Sequence, residues 1–321
     1  MHIASLYRYP VKGLSPERLS SVQVATAEGF PLDRMYALLR TQADFDAGAP
    51  VWLAKANFVM LMMHEQIAGL KTHYLHQDKK LFVTTATGRQ LEFLLGESAG
   101  RAALEQFFAD FMPKHLTTAP RLVESTGHQF TDKAAKYISL INLATLRELE
   151  QCWGESLDPL RFRANVYIDD AEPFSELDWI GQEIRLGSVI AKVAQRNGRC
   201  AATNVNPDTG IRDRNVPGKL RAAFGHKDLG VYLSVTQGGQ LNEGDLVQVA
   251  PVAASHSDPV AASDSTARQL ICAACYYLFD PHLLNAAWSS PMDLPANWHC
   301  PDCGATRDTL VPAASHRPST I

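Results

Sequence analysis

Four of the six cysteines in the 321-residue chain fall within its last fifty residues. Cys272 and Cys275 form C-A-A-C, 24 residues intervene, and Cys300 and Cys303 form C-P-D-C. Two residues between paired thiols let one tight loop aim both sulfurs at a common point. Two such loops facing each other make a tetrahedral four-thiolate metal site. Such sites take iron or zinc. A fifth thiol, Cys200, stands alone in QRNGRCAATNVNPDTG. Residues 192–221 carry seven cations (Lys192, Arg196, Arg199, Arg212, Arg214, Lys219, Arg221) against Asp208 and Asp213. Like charges this close repel unless an anion sits among them, and neighbouring guanidinium groups favour the thiolate that attacks a substrate or ligates a metal. The pattern therefore predicts a reactive or metal-ligating Cys200 beside an anion site; a solvated basic loop with an incidental thiol is the alternative. Cys152 falls on the apolar side of a predicted helix and is expected to be buried and inert.

These groups need a scaffold. The first 250 residues read as many short strands: IASLYRYPV, SVQVATA, MYALLR, NFVMLMMH, LFVTTA and QLEFLL are β-branched or aromatic and end at Gly, Pro or Asp. VYLSVTQGGQLNEGDLVQVA reads as two strands around Gly238-Gly239. Helices are expected over 102–111 and 143–153, the second capped by Asn142. Met60, Met62 and Met63 read as strand packing, and His64, His73, His76 and His128 as surface or satisfied histidines. A mainly β, α+β architecture with a barrel follows. Residues 251–267 are rich in Ala, Ser, Asp and Pro and read as a flexible linker.

Composition excludes several classes. Hydrophobic residues make up 46% and charged residues 20%, an ordinary globular balance. No run approaches the ~18 apolar residues of a membrane span. A net charge of -4 argues against nucleic-acid binding, and the opening MHIASLYRYP has no leader pattern. A cytoplasmic location without membrane association is expected, and with it free thiols rather than disulfides.

Two stretches carry a resemblance. LYRYPVKGLSPERL and GFPLDRMYALL, then RFRANVYID, WIGQEIRLG and RCAATNVNPDTG, resemble the N-terminal β-barrel and MOSC domains of molybdenum cofactor proteins. Relatives include the mitochondrial amidoxime-reducing component and bacterial MOSC proteins that reduce N-hydroxylated bases. CAACYYLFDP and LPANWHCPDCGATRD resemble rubredoxin, the one-iron electron carrier. The resemblance implies four segments: an N-terminal barrel domain over 1–95, a MOSC domain over 96–250, the linker, and a rubredoxin-like domain over 268–311. It implies a molybdenum-pterin cofactor with Cys200 on the metal, Lys12 and Arg34 on the terminal phosphate, and Arg163, Asn165, Arg199 and Asn142 as further contacts. Arg199 is a candidate catalytic partner of Cys200, and Arg212 a candidate for holding substrate. Cys272, Cys275, Cys300 and Cys303 would hold iron, or zinc in a ribbon. Asp208 and Gly210 shape the loop after Cys200.

The implied activity is reduction of a small N-hydroxylated compound, fed by an external reductase through the iron. The sequence departs from the family at Gly13, where serine is common, at Ala164, where proline is usual, and at Lys55, often arginine. Two other readings compete: sulfur transfer with a persulfide on Cys200, and a zinc-ribbon binding module.

Overall fold

The computed structural model describes residues 1–40, 43, 45–114, 116, 118–250, 270–273, 278–279, 294, 298, 300 and 305–312. The linker expected over 251–267 lies outside them.

The chain opens with β1 (His2–Arg8), β2 (Glu17–Leu19) and β3 (Ser21–Val24), followed by β4 (Tyr36–Leu39). A meander of β5 (Lys71–Leu75), β6 (Lys80–Thr84) and β7 (Gln90–Leu94) leads into α1 (Ser98–Phe111) and β8 (Arg121–Glu124). Then come β9 (Ile138–Asn142), α2 (Leu143–Trp153), β10 (Val166–Asp169), β11 (Glu183–Leu186) and β12 (Val189–Gly198). α3 (Val216–Phe224), β13 (Asp228–Gln237), β14 (Gly239–Asn242) and β15 (Val247–Val249) complete the body. The described tail residues add β16 (Leu270–Cys272), β17 (Leu278–Phe279) and β18 (Leu310–Pro312).

One eight-stranded sheet, in the order β15-β11-β12-β13-β9-β10-β1-β2, forms the larger unit. All its neighbouring pairs are antiparallel except β9 with β10. Burial alternates along β11, and along β3 beside the sheet, as a half-buried strand requires. The inward residues, among them Ile3, Leu6, Val166, Ile184, Val193, Val231 and Leu233, make one core. A second core joins β4 and the meander to α1 through Tyr36, Leu38, Leu81, Val83, Leu104 and Phe108. Each of these large side chains contributes roughly 1.5–3 kcal/mol on burial.

Chain order and spatial order part company at the N-terminus. β1 pairs with β10 in the large sheet, and β3 pairs with β14 in a separate two-stranded sheet, so the first strands find their partners in the second half. Conversely β8 pairs with β4, and α1 packs on β7. Residues 98–124 thus belong spatially with the meander, although the sequence places the division at residue 95.

The local expectations divide. Leu143–Trp153 is helical and Asn142 caps it, its side chain accepting from Ala144 N at 3.0 Å. NFVMLMMH is not a strand: Phe58 makes one bridge to Leu39, and the chain turns through Met60–Met63. The three methionines therefore pack from a turn. Gly238-Gly239 does not fold β13 onto β14, because β14 leaves to pair with β3. Cys152 is exposed, on the solvent side of α2. His64 is buried.

Gly230, in β13, sits at φ +73°, and a Cβ there would run into the Leu140 carbonyl and lie 3.1 Å from Arg199 Nη2. Gly230→Ala combines left-handed backbone strain with overpacking. It should cost about 3 kcal/mol and lower Tm by roughly 5–10 °C in a thermal melt.

Candidate functional site

Loops from both cores meet around a cavity of about 340 Å³, within the range of small-molecule and cofactor sites. Its lining comes from the turn after β1 (Lys12, Gly13), the approach to β4 (Asp33, Arg34), Lys55 and Met60–Met62, the loop before β9 (Thr131, Asp132, Tyr137), the loop before β10 (Arg163) and the end of β12 (Arg199, Cys200). Among the described residues, eight cationic side chains line it against two carboxylates.

Cys200 sits at one end. β12 stops at Gly198, and Arg199 N donates to the Lys227 carbonyl at 2.8 Å. The Cys200 carbonyl accepts from Thr203 N (3.1 Å) and Thr203 Oγ1 (2.9 Å), starting a short 3₁₀ turn over Ala201–Asn204. These bonds fix the cysteine backbone and leave the side chain half-buried in the cavity wall. Arg199 is buried beneath it. Its Nε donates to Leu229 O at 2.7 Å, its Nη2 to the same oxygen, and its Nη1 to Phe162 O at 3.1 Å. Burial pushes the Arg199 guanidinium down from its ordinary value. It ties the loop before β10 to β13 behind Cys200, which is a positioning part.

At the other end, buried Lys12 donates to the Phe130 carbonyl at 2.9 Å and to Asp132 Oδ1 at 2.5 Å. Lys55 Nζ lies 3.9 Å from Asp132 Oδ2. Burial pushes the Lys12 ammonium down, and Asp132 opposes it. Burial would raise Asp132, but Lys12, Lys55 and Arg34 together hold it well below the usual carboxylate range. Arg34 donates to Asp33 Oδ2 at 2.5 Å and to the Arg163 carbonyl at 2.9 Å. The Tyr9 ring lies between two guanidinium groups, with Arg34 Cζ 4.3 Å and Arg163 Cζ 4.2 Å from its centroid. Burial pushes the Tyr9 hydroxyl up to about 12, so the ring remains a neutral spacer between two charges.

Arg163 and Arg34 both carry backbone strain, Arg34 at φ +47°. The Arg163 backbone is left-handed at φ +51°, uncommon for a side chain of this size. Burial pushes its guanidinium down to about 10. Its Nη2 is buried with no hydrogen-bond partner. A buried charged donor left unpaired is costly, and a bound anion or polar ring edge in the cavity would satisfy it.

The remaining predicted residues divide. Asn165 lines the cavity, but its Oδ1 accepts from Ser139 N and Oγ, and its Nδ2 donates to Tyr7 O at 3.2 Å. It stitches β9 to β1. Asn142 does not line the cavity: it caps α2, and its Nδ2 donates to Glu172 O and Glu176. The anion site expected within 192–221 dissolves, because only Arg199 of the seven cations reaches the cavity. Arg196 faces Leu177 O and Asp178, while Arg214 and Lys219 hold Glu155. Arg212 donates to the carbonyls of Leu61, Met62 and Ala201 and pairs with Glu65, which leaves no substrate-holding part for it. Asp208 pairs with Lys71, and Gly210, at φ +69°, packs under the Glu65 carbonyl, both as expected for loop-shaping residues. Gly13 is also left-handed, at φ +86°, which gives glycine a backbone reason to stand there.

Asp132, Tyr9 and Ser139 escaped the sequence reading. No local pattern marks an aspartate as the counter-ion of a lysine 120 residues away.

In the tail, Cys272 and Cys300 are buried. Cys300 N donates to Ala305 O at 2.8 Å, and Ala273 N to Thr309 O at 2.7 Å. Cys275 and Cys303 lie outside the described residues, and among the described residues no group of three His, Cys, Asp or Glu side chains is placed to hold a metal.

Residues 1–141 match the MOSC N-terminal beta barrel domain, and residues 126–248 the MOSC domain. Together the two matches span residues 1–248 and support the MOSC family for this chain. The "Mitochondrial amidoxime-reducing component 1" of Danio rerio is 30% identical over 118 residues, covering 34% of this chain and 36% of its own. The "Molybdenum cofactor sulfurase" of Drosophila mojavensis is 33% identical over 122 residues, 34% of this chain and 15% of its own. The chain thus spans well under half the length of these MOSC relatives. Among solved structures, the YUAD protein of Bacillus subtilis aligns over 77% of this chain and 93% of its own, at 13% identity and a TM-score of 0.36. The names of the two MOSC relatives refer to amidoxime reduction and to the molybdenum cofactor. Among the described residues, no helix is long and apolar enough to cross a membrane.

Asp132 is the anion already seated between Lys12 and Lys55. Asp132→Asn removes that competitor and should tighten pyrophosphate binding about tenfold, one charge-assisted hydrogen bond being worth about 1.5–3 kcal/mol. Titration calorimetry on cofactor-free protein reads this directly; unchanged affinity would show that Asp132 does not compete. The lowered Asp132 value also sets a pH dependence. Its contribution to stability is complete above the ordinary carboxylate value near ~4 and is lost as pH falls through the depressed folded value. Acid melts of the Asp132→Asn variant should therefore lose less stability below pH ~4 than the parent.

Proposed function

We propose that this MOSC protein is a molybdenum-pterin-dependent oxidoreductase that reduces small N-hydroxylated compounds, with electrons relayed by its C-terminal cysteine module. The observation that carries this reading is the buried, unpartnered Arg163 Nη2 in a cation-lined cavity with a lone thiol at its end. The donor set fits the cofactor. Lys12 and Arg34 would hold its phosphate, with Lys55 beside them, since a dianion needs fixed ammonium and guanidinium donors. Arg163 would meet the pterin, and Cys200 would give its sulfur to the metal. When bound, the group supplies a metal centre that exchanges two electrons with substrate.

The net reaction takes two electrons and two protons. The N–O bond breaks, the oxygen leaves as water, and the nitrogen becomes an imine or amine. The chain's own residues prepare the site. Thr203 fixes the Cys200 backbone, Arg199 braces the loops beneath it, and Met60 and Met62 wall the cavity with apolar surface that limits water. Cys272, Cys275, Cys300 and Cys303 would hold an iron, which would supply one-electron transfer, so two electrons from an external reductase would be needed for each turnover.

Sulfur transfer is the second reading. The likeness to a molybdenum cofactor sulfurase favours it, with Cys200 carrying a persulfide. The C-terminal cysteine pattern weighs against it, because a persulfide carrier needs no electron relay.

Protein made in a host able to synthesise the cofactor should contain about one molybdenum per chain. Cys200→Ala should lose the metal and lower N-hydroxy-base reduction at least about a hundredfold, while the iron chromophore of the C-terminal module persists. Full activity in that variant overturns the assignment; a persulfide on Cys200 with no bound molybdenum points to sulfur transfer.

A further inference from the structure

Met60 and Met62 belong to two environments at once. They line the cavity that contains Cys200. They are also buried in one apolar cluster with Ala201 and with the tail residues Leu270, Cys272, Leu294, Cys300 and Leu310. Cys200, Ala202 and Trp298 pack against the same cluster. Two cysteines of the C-terminal pattern and the candidate metal thiol therefore share one continuous apolar contact.

This wall is a built surface. Arg212 joins its two chain segments: Nη1 donates to Ala201 O at 3.1 Å, and Nη2 to Met62 O at 2.6 Å and Leu61 O at 3.3 Å. Glu65 anchors the same guanidinium at 3.1 Å. One arginine thus sets the Met60–Met62 turn against the loop that follows Cys200. The sequence reads these three methionines as strand packing, but they lie in a turn; a site that receives a second module gives them a reason, since the flexible, polarisable thioether fits surfaces that must repack.

We propose that the wall of Met60, Met62 and Ala201 is the docking seat for this chain's own C-terminal cysteine module, and that electrons enter the Cys200 cavity across it. The seat rests on the packing; the electron route rests on the function proposed above. A covalently tethered module needs only a small apolar contact, because its effective concentration is high.

The test uses the full chain with one variant on each side of the contact, Leu310→Asp on the module and Met62→Asp on the seat. Hydrogen exchange followed by mass spectrometry should show amides in 58–64 and 200–205 exchanging at least about tenfold faster in both variants, with 231–235 in the central sheet unchanged. Parent-like exchange at 58–64 and 200–205 in either variant, with the central sheet intact, overturns the seat. In protein loaded with iron and molybdenum, the reduced chromophore should be oxidised by an N-hydroxylated base at least about tenfold more slowly in Leu310→Asp than in the parent. Turnover driven by a small-molecule reductant should be equal in the two proteins. Loosened exchange with unaltered chromophore oxidation overturns the electron route and leaves the seat standing. Protein that never takes up molybdenum overturns the proposed function, while the exchange data still decide the seat.

Discussion

Buried positive charge without enough counter-charge is the constraint around which the rest of this molecule is arranged. A folded chain does not ordinarily bring lysines and arginines together in a partly desolvated cavity, because each loses hydration and repels the others. Here Lys12, Arg34, Arg163 and Arg199 converge from four separate loops. The structure manages the cost with local devices. Asp132 sits between Lys12 and Lys55, Asp33 holds Arg34, and the Tyr9 ring separates Arg34 from Arg163. Carbonyls of Phe162 and Leu229 receive Arg199. Among the described lining residues, Arg163 Nη2 and Arg161 Nε are buried donors with no hydrogen-bond partner. That imbalance is what a binding site for an anionic cofactor looks like before its ligand is considered.

The two cores exist, for this purpose, to hold the loops at fixed distances. The eight-stranded sheet supplies the end of β12 with Cys200 and the approaches to β9 and β10; the meander core and its neighbours supply the cationic end and the methionine wall. Because β1 belongs to the large sheet and Lys12 follows it directly, the two ends of the cavity are mechanically one piece. Arg212 adds a second tie, from the loop after Cys200 to the Met60–Met62 turn. The cavity is therefore braced on both flanks rather than hinged at a chain boundary.

Charge on paper and charge in space proved different quantities. The seven cations of 192–221 looked like one patch, yet strand alternation and loop geometry sent Arg196 to Asp178, Arg212 to Glu65, and Arg214 and Lys219 together to Glu155. Asn142 shows the same effect: a helix cap was legible from its position before Leu143, but its burial between α2 and Glu176 removed it from the cavity. Met60–Met63 read as a strand because apolar runs of that length lack a period that separates strand from buried turn.

The sequence alone determined which residues could do chemistry: the lone thiol of Cys200, the Y-P-V-K and L-D-R cations, the F-R-A-N turn, and the paired cysteines of the tail. It determined the β-rich class as well, since short β-branched runs between turn residues follow from local sterics. Only the tertiary structure decided that Lys12, Arg34, Arg163 and Cys200 share one cavity, that Asp132 is its internal counter-ion, and that the methionine turn faces the tail cysteines. The reason is physical. Side-chain type and backbone preference act over a few residues, whereas the pairing of charges depends on which loops the sheet brings within a few ångströms of one another, and neighbours along the chain carry no record of that distance.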